Sequence, residues 1–386
     1  MNLLRGITDI FPIIHPETFF STPKRVKLGF DPTSNFLHLG HSILLRKLQA
    51  FQRQGHTPVV IIGDFTARIG DPSGKSSTRR QLSKEEVGAN VKSFIKVVHR
   101  FLDPEKTEIV FNSGHLEGMN LPMVLRLQSM VTVQQLIAKQ DFSNRIESHA
   151  PIGLHEFMYP LLQGFDSFQV QSDVELGGVD QKFNVGLGRD VQKHFGSQTQ
   201  QVGMLMPILT GTDGTQKMSK SLNNAIGIDE HPVQMFSKLE KIPDHRVDEF
   251  ITLLTDCELS QFSINPRQKQ KQMAFEIVSI FHGSRKAVNA MKDAESLVFA
   301  CSTDVANMAN VQISEVSTDC IEFPCRLVNM LKALKLAEST SDARRKVKSG
   351  SVRLNGTKVT DENLMVDSTV CNQILQLSKR EFFRLV

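Results

Sequence analysis

The sequence predicts an α/β protein whose first and largest domain is a doubly wound parallel sheet. Short apolar runs alternate with helical patterns in the first third of the chain, as in parallel sheets covered by helices on both faces. A loop rich in glycine, proline and serine follows the second predicted strand, at the edge where such sheets bind ligands. A helical stretch and a small basic α+β unit come next. The chain of 386 residues is therefore predicted to form three domains, at 1–228, 229–320 and 323–386.

The first predicted strand, residues 25–30, leads through an Asp-Pro-Thr break into a helix. Apolar residues between positions 40 and 53 recur at helical spacing. His38 and His41 therefore flank the N-terminus of this helix, where free backbone N–H groups and the helix dipole favour an anion. A pair of partly buried structural histidines is the alternative interpretation.

The next segment repeats this arrangement. Residues 57–64 form a continuous apolar run, which is typical of a parallel strand buried on both faces. The Gly/Pro/Ser loop at 70–77 follows and ends in basic residues. Ser83 and Glu86 then form a capping box that predicts the start of a helix, and residues 109–111 predict a third strand.

A basic pentapeptide, Lys217-Met218-Ser219-Lys220-Ser221, lies far downstream of the two histidines. Such a pentapeptide is most often a solvated loop, and a His-x-Gly-His match is weak by itself. Both motifs in this order, each in a suitable local context, are a stronger signal. Together they predict a site that handles the phosphates of ATP.

Three polar residues recur along one predicted helix. Tyr159, Gln163 and Asp166 are spaced i, i+4 and i+7, which places them on one face if Pro160 only kinks the helix. A polar face usually points to solvent. Because the flanking residues are largely apolar, we instead expect this row to line a cavity.

A basic segment lies near the C-terminus. Between positions 341 and 360 six basic residues stand against one acid, Asp342. The pattern indicates a helix end, a turn at Gly350, a strand and a hairpin turn at Asn355-Gly356. This unit predicts contact with the phosphate backbone of a nucleic acid, and a solvated basic face is the alternative. The candidate residues for this contact are Arg344, Arg345, Lys346 and Lys348.

Composition limits the class of protein. The segment from Met1 to Phe20 contains charged residues and prolines, so it is predicted to be neither a secretion signal nor a membrane span. The five cysteines form no Cys-x-x-Cys pair, which predicts reduced thiols in a cytoplasmic protein and no zinc site. No acidic cluster predicts a metal cage, and no organic cofactor is expected.

Several segments form a recognisable series along the chain: Gly29-Phe30-Asp31-Pro32-Thr33, His38-Leu39-Gly40-His41, Gly70-Asp71-Pro72-Ser73-Gly74, residues 159–166, residues 175–184 and the basic pentapeptide. In this order they resemble the motifs of class I tyrosyl-tRNA synthetases. The resemblance extends nearly from end to end and is closest to the bacterial branch. The C-terminal unit resembles the S4 RNA-binding domain that many bacterial members carry.

The resemblance implies a Rossmann-like catalytic domain that joins L-tyrosine and ATP into tyrosyl-adenylate and then transfers tyrosyl to the 3′ end of tRNA(Tyr). ATP would enter together with Mg²⁺. The resemblance assigns phosphate handling to Thr33, His38, His41, Lys75, Arg79, Lys217 and Lys220. It assigns further ATP contacts to Gly29, Asp31, Gly178 and Asp180.

For the amino acid, the resemblance places the substrate hydroxyl on Asp166, the ammonium on Tyr159, Gln163 and Asp71, and the carboxylate near Gln181. One position departs from the pattern of many bacterial relatives, which have a second phenol where this chain has Lys27. The preferred interpretation of Lys27 is an edge-strand lysine that points to solvent.

The segment 121–146 carries more apolar side chains than an exposed helix pair would need. The resemblance makes it part of an insertion, at about 115–160, through which class I tyrosyl enzymes form homodimers. Two other functions remain open at this point. One is a different class I synthetase or adenylyltransferase, and the other is an RNA-binding protein on a degenerate synthetase scaffold.

Overall fold

The computed structural model describes residues 3–73, 82–300, 312–318, 321–354, 357–371, 373–377 and 381–386. They divide into two compact units. The first comprises Met1–Asp229 and His245–Gln261, and the second comprises Glu230–Asp244 and Phe262–Val386.

The first unit is built on a six-stranded sheet with the order β1-β6-β5-β2-β3-β4. All neighbouring strands are parallel except β1 and β6, which are antiparallel. The predicted doubly wound parallel sheet is confirmed. The strands are β1 (Asp9–Phe11), β2 (Arg25–Phe30), β3 (Thr57–Ile62), β4 (Glu108–Phe111), β5 (Val174–Gly178) and β6 (Val202–Met206).

Helices connect these strands and cover the sheet. Up to residue 229, the helices of the first unit are α1 (Pro16–Phe19), α2 (Leu39–Arg53), α3 (Lys84–Phe101), α4 (Ser113–Leu116), α5 (Leu121–Gln128), α6 (Val133–Ile137), α7 (Gln140–Glu147), α8 (Met158–Gln169) and α9 (Lys182–His194). The capping box at the start of α3 is present, with the Ser83 side chain on the Glu86 backbone and the Glu86 side chain on the Ser83 backbone.

Pro160 lies in the first turn of α8, where a proline does not interrupt the helix. A backbone N–H in the first turn has no partner within the helix, so proline costs no hydrogen bond there. The sheet also corrects the interpretation of Lys27. Strand β2 lies between β5 and β3, and the Lys27 side chain is fully buried instead of pointing to solvent from an edge.

The second unit combines helices with two small sheets. Its helices are α10 (Pro232–Leu239), α12 (Pro266–His282), α13 (Ser284–Ala300), α14 (Leu327–Ala333) and α15 (Thr340–Lys348). Helix α11 (Asp244–Leu254) lies between α10 and α12 in the chain and, apart from Asp244, belongs to the first unit. Its strands are β7 (Gln312–Val316), β8 (Cys325–Arg326), β9 (Arg353–Leu354), β10 (Thr357–Lys358), β11 (Met365–Val366), β12 (Ile374–Gln376) and β13 (Glu381–Leu385).

The larger of these sheets has the order β10-β9-β12-β13-β7, in which only β13 and β7 are parallel. It includes β7, which precedes residue 323 in the chain. The predicted turn at Gly350 is present, with a φ of 68° that glycine adopts without strain. The predicted hairpin turn at Asn355-Gly356 lies outside the described residues, although β9 and β10 on either side pair antiparallel. In the part of the chain that the structure describes, no helix is long and apolar enough to cross a membrane.

Candidate active site

A cleft of about 350 Å³ opens in the first unit, where the carboxyl ends of β2 and β5 meet the N-terminus of α2. Most of the candidate residues named from the sequence line it. They are Gly29, Asp31, Thr33, His38, His41, Asp71, Tyr159, Gln163, Asp166, Gly178, Asp180 and Gln181. Residues from distant parts of the chain thus meet at the sheet edge where doubly wound folds bind ligands.

The two histidines begin helix α2. His38 is its N-cap, and the His38 backbone N–H donates to Nδ1 of His41 at 3.2 Å. Burial lowers the pKa of His38 to about 3 and that of His41 to about 4. Both rings are therefore neutral near pH 7, and because Nδ1 of His41 accepts, its proton resides on Nε2. A side chain at Gly40 would crowd the His38 ring, since a Cβ there would lie 3.0 Å from it.

Backbone hydrogen bonds connect the histidine motif to the segment after the basic pentapeptide. The Leu39 N–H donates to the Ile226 carbonyl at 3.0 Å, and the Ile228 N–H donates to the Leu37 carbonyl at 2.9 Å. The histidine motif and the chain that follows the pentapeptide are thus held together by main-chain hydrogen bonds.

Hydrogen bonds hold the backbone of the pentapeptide loop at Met218 and, through the side chain of Asn224, at Lys217 and Ser219. Met218 is 5% exposed and lines the cleft, and its N–H donates to the Leu209 carbonyl at 2.9 Å. Asn224 accepts from the Ser219 N–H at 2.8 Å and donates to the Lys217 carbonyl at 3.1 Å. These contacts fix the loop's backbone against the cleft.

The two lysines of the pentapeptide lie beside the cleft, and among the described residues neither forms part of its lining. The pKa of Asp180 is raised by burial and by Asp71, and the positive charge of Lys217 counteracts this rise. Lys220 Nζ lies 5.4 Å from the ring centroid of Phe36, which lines the cleft. Lys75 and Arg79 lie outside the described residues.

Tyr159 and Asp31 form one wall of the cleft. The Tyr159 hydroxyl donates to Oδ2 of Asp31 at 2.9 Å, and Thr66 donates to Oδ1 of the same carboxylate at 2.7 Å. Burial, then the charge of Asp31, raises the pKa of Tyr159 well above its ordinary value. The phenol therefore stays protonated and acts as a hydrogen-bond donor.

Asp166 is more deeply buried than Tyr159, with 3% of its surface exposed. Its Oδ1 is 2.6 Å from Nε2 of His115, and its Oδ2 accepts from Nδ2 of Asn112 at 3.2 Å. Sequence reasoning missed both partners. The available signal was their position directly after β4, where a parallel strand delivers side chains to the ligand edge.

Gln163 and Gln181 are joined through Asn184. The Asn184 side-chain NH₂ donates to Oε1 of Gln163 at 2.9 Å and to Oε1 of Gln181 at 3.0 Å. Gln181 in turn donates to Oδ2 of Asp71 at 2.8 Å. Three of the residues assigned to the amino acid thus belong to one hydrogen-bonded chain, which also includes Asn184, a residue not singled out in the sequence.

Comparison with known protein families identifies both parts of the chain. Residues 21–304 match the family model described as tRNA synthetases class I (W and Y), and residues 325–370 match the S4 domain. The chain belongs to the class I tRNA synthetase family of the tryptophan and tyrosine enzymes. The resemblance inferred from its motifs is confirmed.

Relatives of this class I chain are similar along their whole length. It is 47% identical over 409 residues to the tyrosine–tRNA ligase of Synechococcus sp. (strain CC9605), covering 100% of this chain and 97% of the relative. The tyrosine–tRNA ligase of Prochlorococcus marinus (strain MIT 9313) is also 47% identical, over 99% of this chain and 97% of the relative.

Solved structures share the fold at lower identity. A C-terminally truncated mitochondrial tyrosyl-tRNA synthetase of Aspergillus nidulans aligns with a TM-score of 0.64 and 20% identity, over 76% of this chain and 93% of that one. The tyrosyl-tRNA synthetase of Archaeoglobus fulgidus, solved with L-tyrosine, aligns with a TM-score of 0.59 and 21% identity, over 74% and 97%.

The basic residues of the S4 match differ in how they are held on α15. Arg344 is exposed. Arg345 is 80% exposed and pairs with Asp342 at 2.9 Å, whereas Lys346 pairs with Asp342 at 3.1 Å and also donates to the Leu336 carbonyl. Lys348 pairs with Glu362 at 3.2 Å. Of the three ion-paired residues Arg345 is the most exposed, since the Lys348 side chain is 64% exposed and that of Lys346 is 35% exposed.

The described residues contain no group of three or more His, Cys, Asp or Glu side chains arranged to hold a metal ion. The acids in the cleft are instead engaged individually, as Asp31 is with Tyr159 and Asp71 with Gln181.

Proposed function

We propose that this chain is a tyrosine–tRNA ligase. It activates L-tyrosine with ATP to give tyrosyl-adenylate and diphosphate, and it then transfers tyrosyl to the 3′ end of tRNA(Tyr). The observation that supports this best is the buried Asp166 carboxylate at the cleft wall, held by His115 and Asn112. Tyrosine-dependent exchange of labelled pyrophosphate into ATP tests the proposal and separates it from other class I specificities and from a non-catalytic RNA-binding protein.

Activation requires positioning more than proton transfer, because the tyrosine carboxylate attacks the α-phosphorus of ATP directly. In the proposed arrangement the Nε2–H of His41, together with His38 and Thr33, faces the phosphates at the N-terminus of α2. Gly29, Gly178 and Asp180 lie along the same cleft and contact the nucleoside. Mg²⁺ would accompany ATP as a counter-charge, and the charge on the phosphates would then be partly offset.

Tyrosine is distinguished from phenylalanine by one hydroxyl. Asp166 accepts hydrogen bonds from its two protein partners, and a carboxylate retains further acceptor capacity for a substrate phenol. Phenylalanine would leave that buried acceptor without its partner, which carries a desolvation cost. The Tyr159 hydroxyl already donates to Asp31, so Tyr159 contributes to the ammonium site with its oxygen lone pairs.

A homodimer is part of the proposal. Helices α5 to α7 and the segment that follows them present large apolar side chains to solvent: Leu121 at 67% exposure, Leu125 at 55%, Val133 at 61%, Ile146 at 43% and Leu154 at 81%. Leu121 and Leu125 are spaced i, i+4 and share one helix face. A surface patch of this kind is typical of an interface between copies of one chain.

Leu125→Asp should convert the protein from dimer to monomer, because it would bury a charge in the proposed interface. Light scattering at micromolar concentration measures the mass. Ile13→Asp is the matched control, since Ile13 is also exposed, at 95%, but lies on a different segment. A monomeric mass for the unaltered chain would contradict the dimer.

For tRNA binding, the proposed contact surface is helix α15, with Arg344, Arg345, Lys346 and Lys348. Because β7 precedes residue 323 and pairs with β13, a deletion of residues 323–386 would also remove the partner of β7. Substitutions on the helix surface therefore test the surface more cleanly than truncation.

The double substitution of Arg344 and Arg345 to alanine should weaken tRNA binding and lower the slope of log affinity against log salt by about two units at most, roughly one for each phosphate that an arginine no longer neutralises. Pyrophosphate exchange should stay unchanged. The double substitution of Lys106 and Lys193 to alanine removes the same amount of charge from two exposed lysines of the first unit and is the matched control. If the tRNA affinity and its salt dependence were unchanged, the basic residues of α15 would be a solvated face and not a tRNA contact.

The proposal retains the three-part division, with a catalytic part at 1–228, a helical part at 229–320 and an RNA-binding part at 323–386. It also places the protein in the cytoplasm. Cys325 and Cys371 are free thiols, which agrees with a reducing compartment.

A further inference from the structure

A buried ion pair lines the cleft of the first unit. Lys27 on β2 and Glu175 on β5 are register partners on adjacent parallel strands, so their side chains share one face of the sheet. Lys27 Nζ lies 2.9 Å from Oε1 of Glu175, and neither side chain is more than 2% exposed. Removing both charges from water is costly, and the attraction between them offsets that cost only when further hydrogen bonds satisfy each group.

The ammonium of Lys27 is fully satisfied. Besides Glu175, it donates to the backbone carbonyl of Gln163 at 2.9 Å and to Oγ of Ser167 at 2.6 Å. An ammonium group has three protons, and these three acceptors use all of them. Lys27 therefore has no proton left for a substrate, and any effect it has on substrate binding passes through its partners.

Glu175 transmits that effect to the side chain of Gln163. Its Oε1 accepts from Nε2 of Gln163 at 3.0 Å, while its Oε2 accepts from Ser167 at 2.9 Å. An ionised carboxylate can only accept hydrogen bonds, so Gln163 must turn its NH₂ toward Glu175. The carbonyl oxygen of Gln163 then faces the opposite way.

Because a carboxylate only accepts hydrogen bonds, the orientations of the other amide side chains are fixed as well. At its far end Gln181 donates to the carboxylate of Asp71, so the Gln181 carbonyl oxygen also faces Asn184. Asn184 supplies one N–H to each of the two carbonyls. With an acceptor-only carboxylate at either end, each amide between them has one permitted orientation.

We propose that the Lys27–Glu175 pair is a positioning element for the amino-acid substrate. It holds an ionised carboxylate against Gln163 and thereby directs the second lone pair of Gln163 Oε1 at the substrate's ammonium group. This rests on the proposed function, in which Gln163 binds that ammonium. Lys27 thus stabilises the ammonium site without touching the substrate.

Two double variants separate orientation from simple packing. K27M/E175M replaces the ion pair by apolar side chains of similar length and removes the acceptor for Gln163 Nε2. K27M/E175Q also removes both charges but retains a carbonyl oxygen at the end of the side chain. Thermal unfolding shows whether each is folded. If K27M/E175M gives no cooperative transition, E175D replaces it, because its carboxylate keeps the charge but is one methylene short of Gln163.

The probes are two tyrosine analogues used as inhibitors of tyrosine-dependent pyrophosphate exchange. Tyramine has the phenol and the ammonium, whereas desaminotyrosine has the phenol and the carboxylate without the ammonium. In K27M/E175M the inhibition constant of tyramine should rise about tenfold or more, while that of desaminotyrosine stays within about twofold. K27M/E175Q should restore tyramine inhibition.

Equal losses for both analogues, or no loss for either, would overturn the positioning role, because a packing defect does not distinguish an ammonium from a carboxylate. The positioning role would also be overturned if K27M/E175Q weakened tyramine inhibition as much as K27M/E175M does. Failure of the proposed function is a separate result: the unaltered protein would then show no tyrosine-dependent exchange.

Discussion

Asp166→Ala should lower kcat/KM for tyrosine activation by about ten- to a hundredfold, while phenylalanine activation changes much less. The substitution removes one hydrogen bond between a charged acceptor and the substrate phenol, and a bond of this kind contributes about 1.5–3 kcal/mol. Phenylalanine has no hydroxyl to lose. Pyrophosphate exchange with each amino acid gives the two values of kcat/KM.

The control for this substitution is Asp173→Ala. Asp173 is a partly buried carboxylate that accepts from the Arg25 backbone N–H at 2.8 Å, and it does not line the cleft. It should affect both amino acids equally. Equal losses for tyrosine and phenylalanine in Asp166→Ala would mean that this carboxylate only supports the fold through His115 and Asn112.

Lys217→Ala and Lys220→Ala should each lower the rate of adenylate formation by about a hundred- to a thousandfold, the usual effect of removing one group that stabilises transition-state charge. Tyrosine affinity should stay nearly constant, because neither lysine lines the amino-acid end of the cleft. Single-turnover measurements separate the rate of the step from binding.

The loop should keep its backbone position in both variants, since Met218 and Asn224 hold it through main-chain contacts. Lys193→Ala, at an exposed lysine at the end of α9, is the matched control. A large change in tyrosine binding with an unchanged rate would remove the pentapeptide from its proposed role.

Elements with local signals could be predicted from the sequence. The capping box of Ser83 and Glu86 and the histidine pair at the start of α2 each depend on residues three positions apart, and both are present. The row of Tyr159, Gln163 and Asp166 also follows from helical spacing, and all three line the cleft as expected.

Features that depend on strand order could not be predicted in this way. Whether β2 lies at an edge is decided by β5, which pairs with it from a distant part of the chain, so Lys27 was wrongly interpreted as exposed. Asn112 and His115 were missed for a similar reason, because their shared partner Asp166 arrives on another element. Short-range patterns do not contain that information.

Tyr159 is the only tyrosine of a chain that has no tryptophan, and it lies in the cleft. At wavelengths longer than the absorption bands of its 25 phenylalanines, the near-ultraviolet spectrum of the protein therefore comes from a single phenol, so that it reports on one place in the fold. With the pKa of this phenol raised in the folded state, the unfolded chain loses the proton first, near pH 10. The folded state consequently loses stability as the pH rises past about 10, and the phenolate absorbance that accompanies this loss is an optical signal of unfolding at the cleft itself.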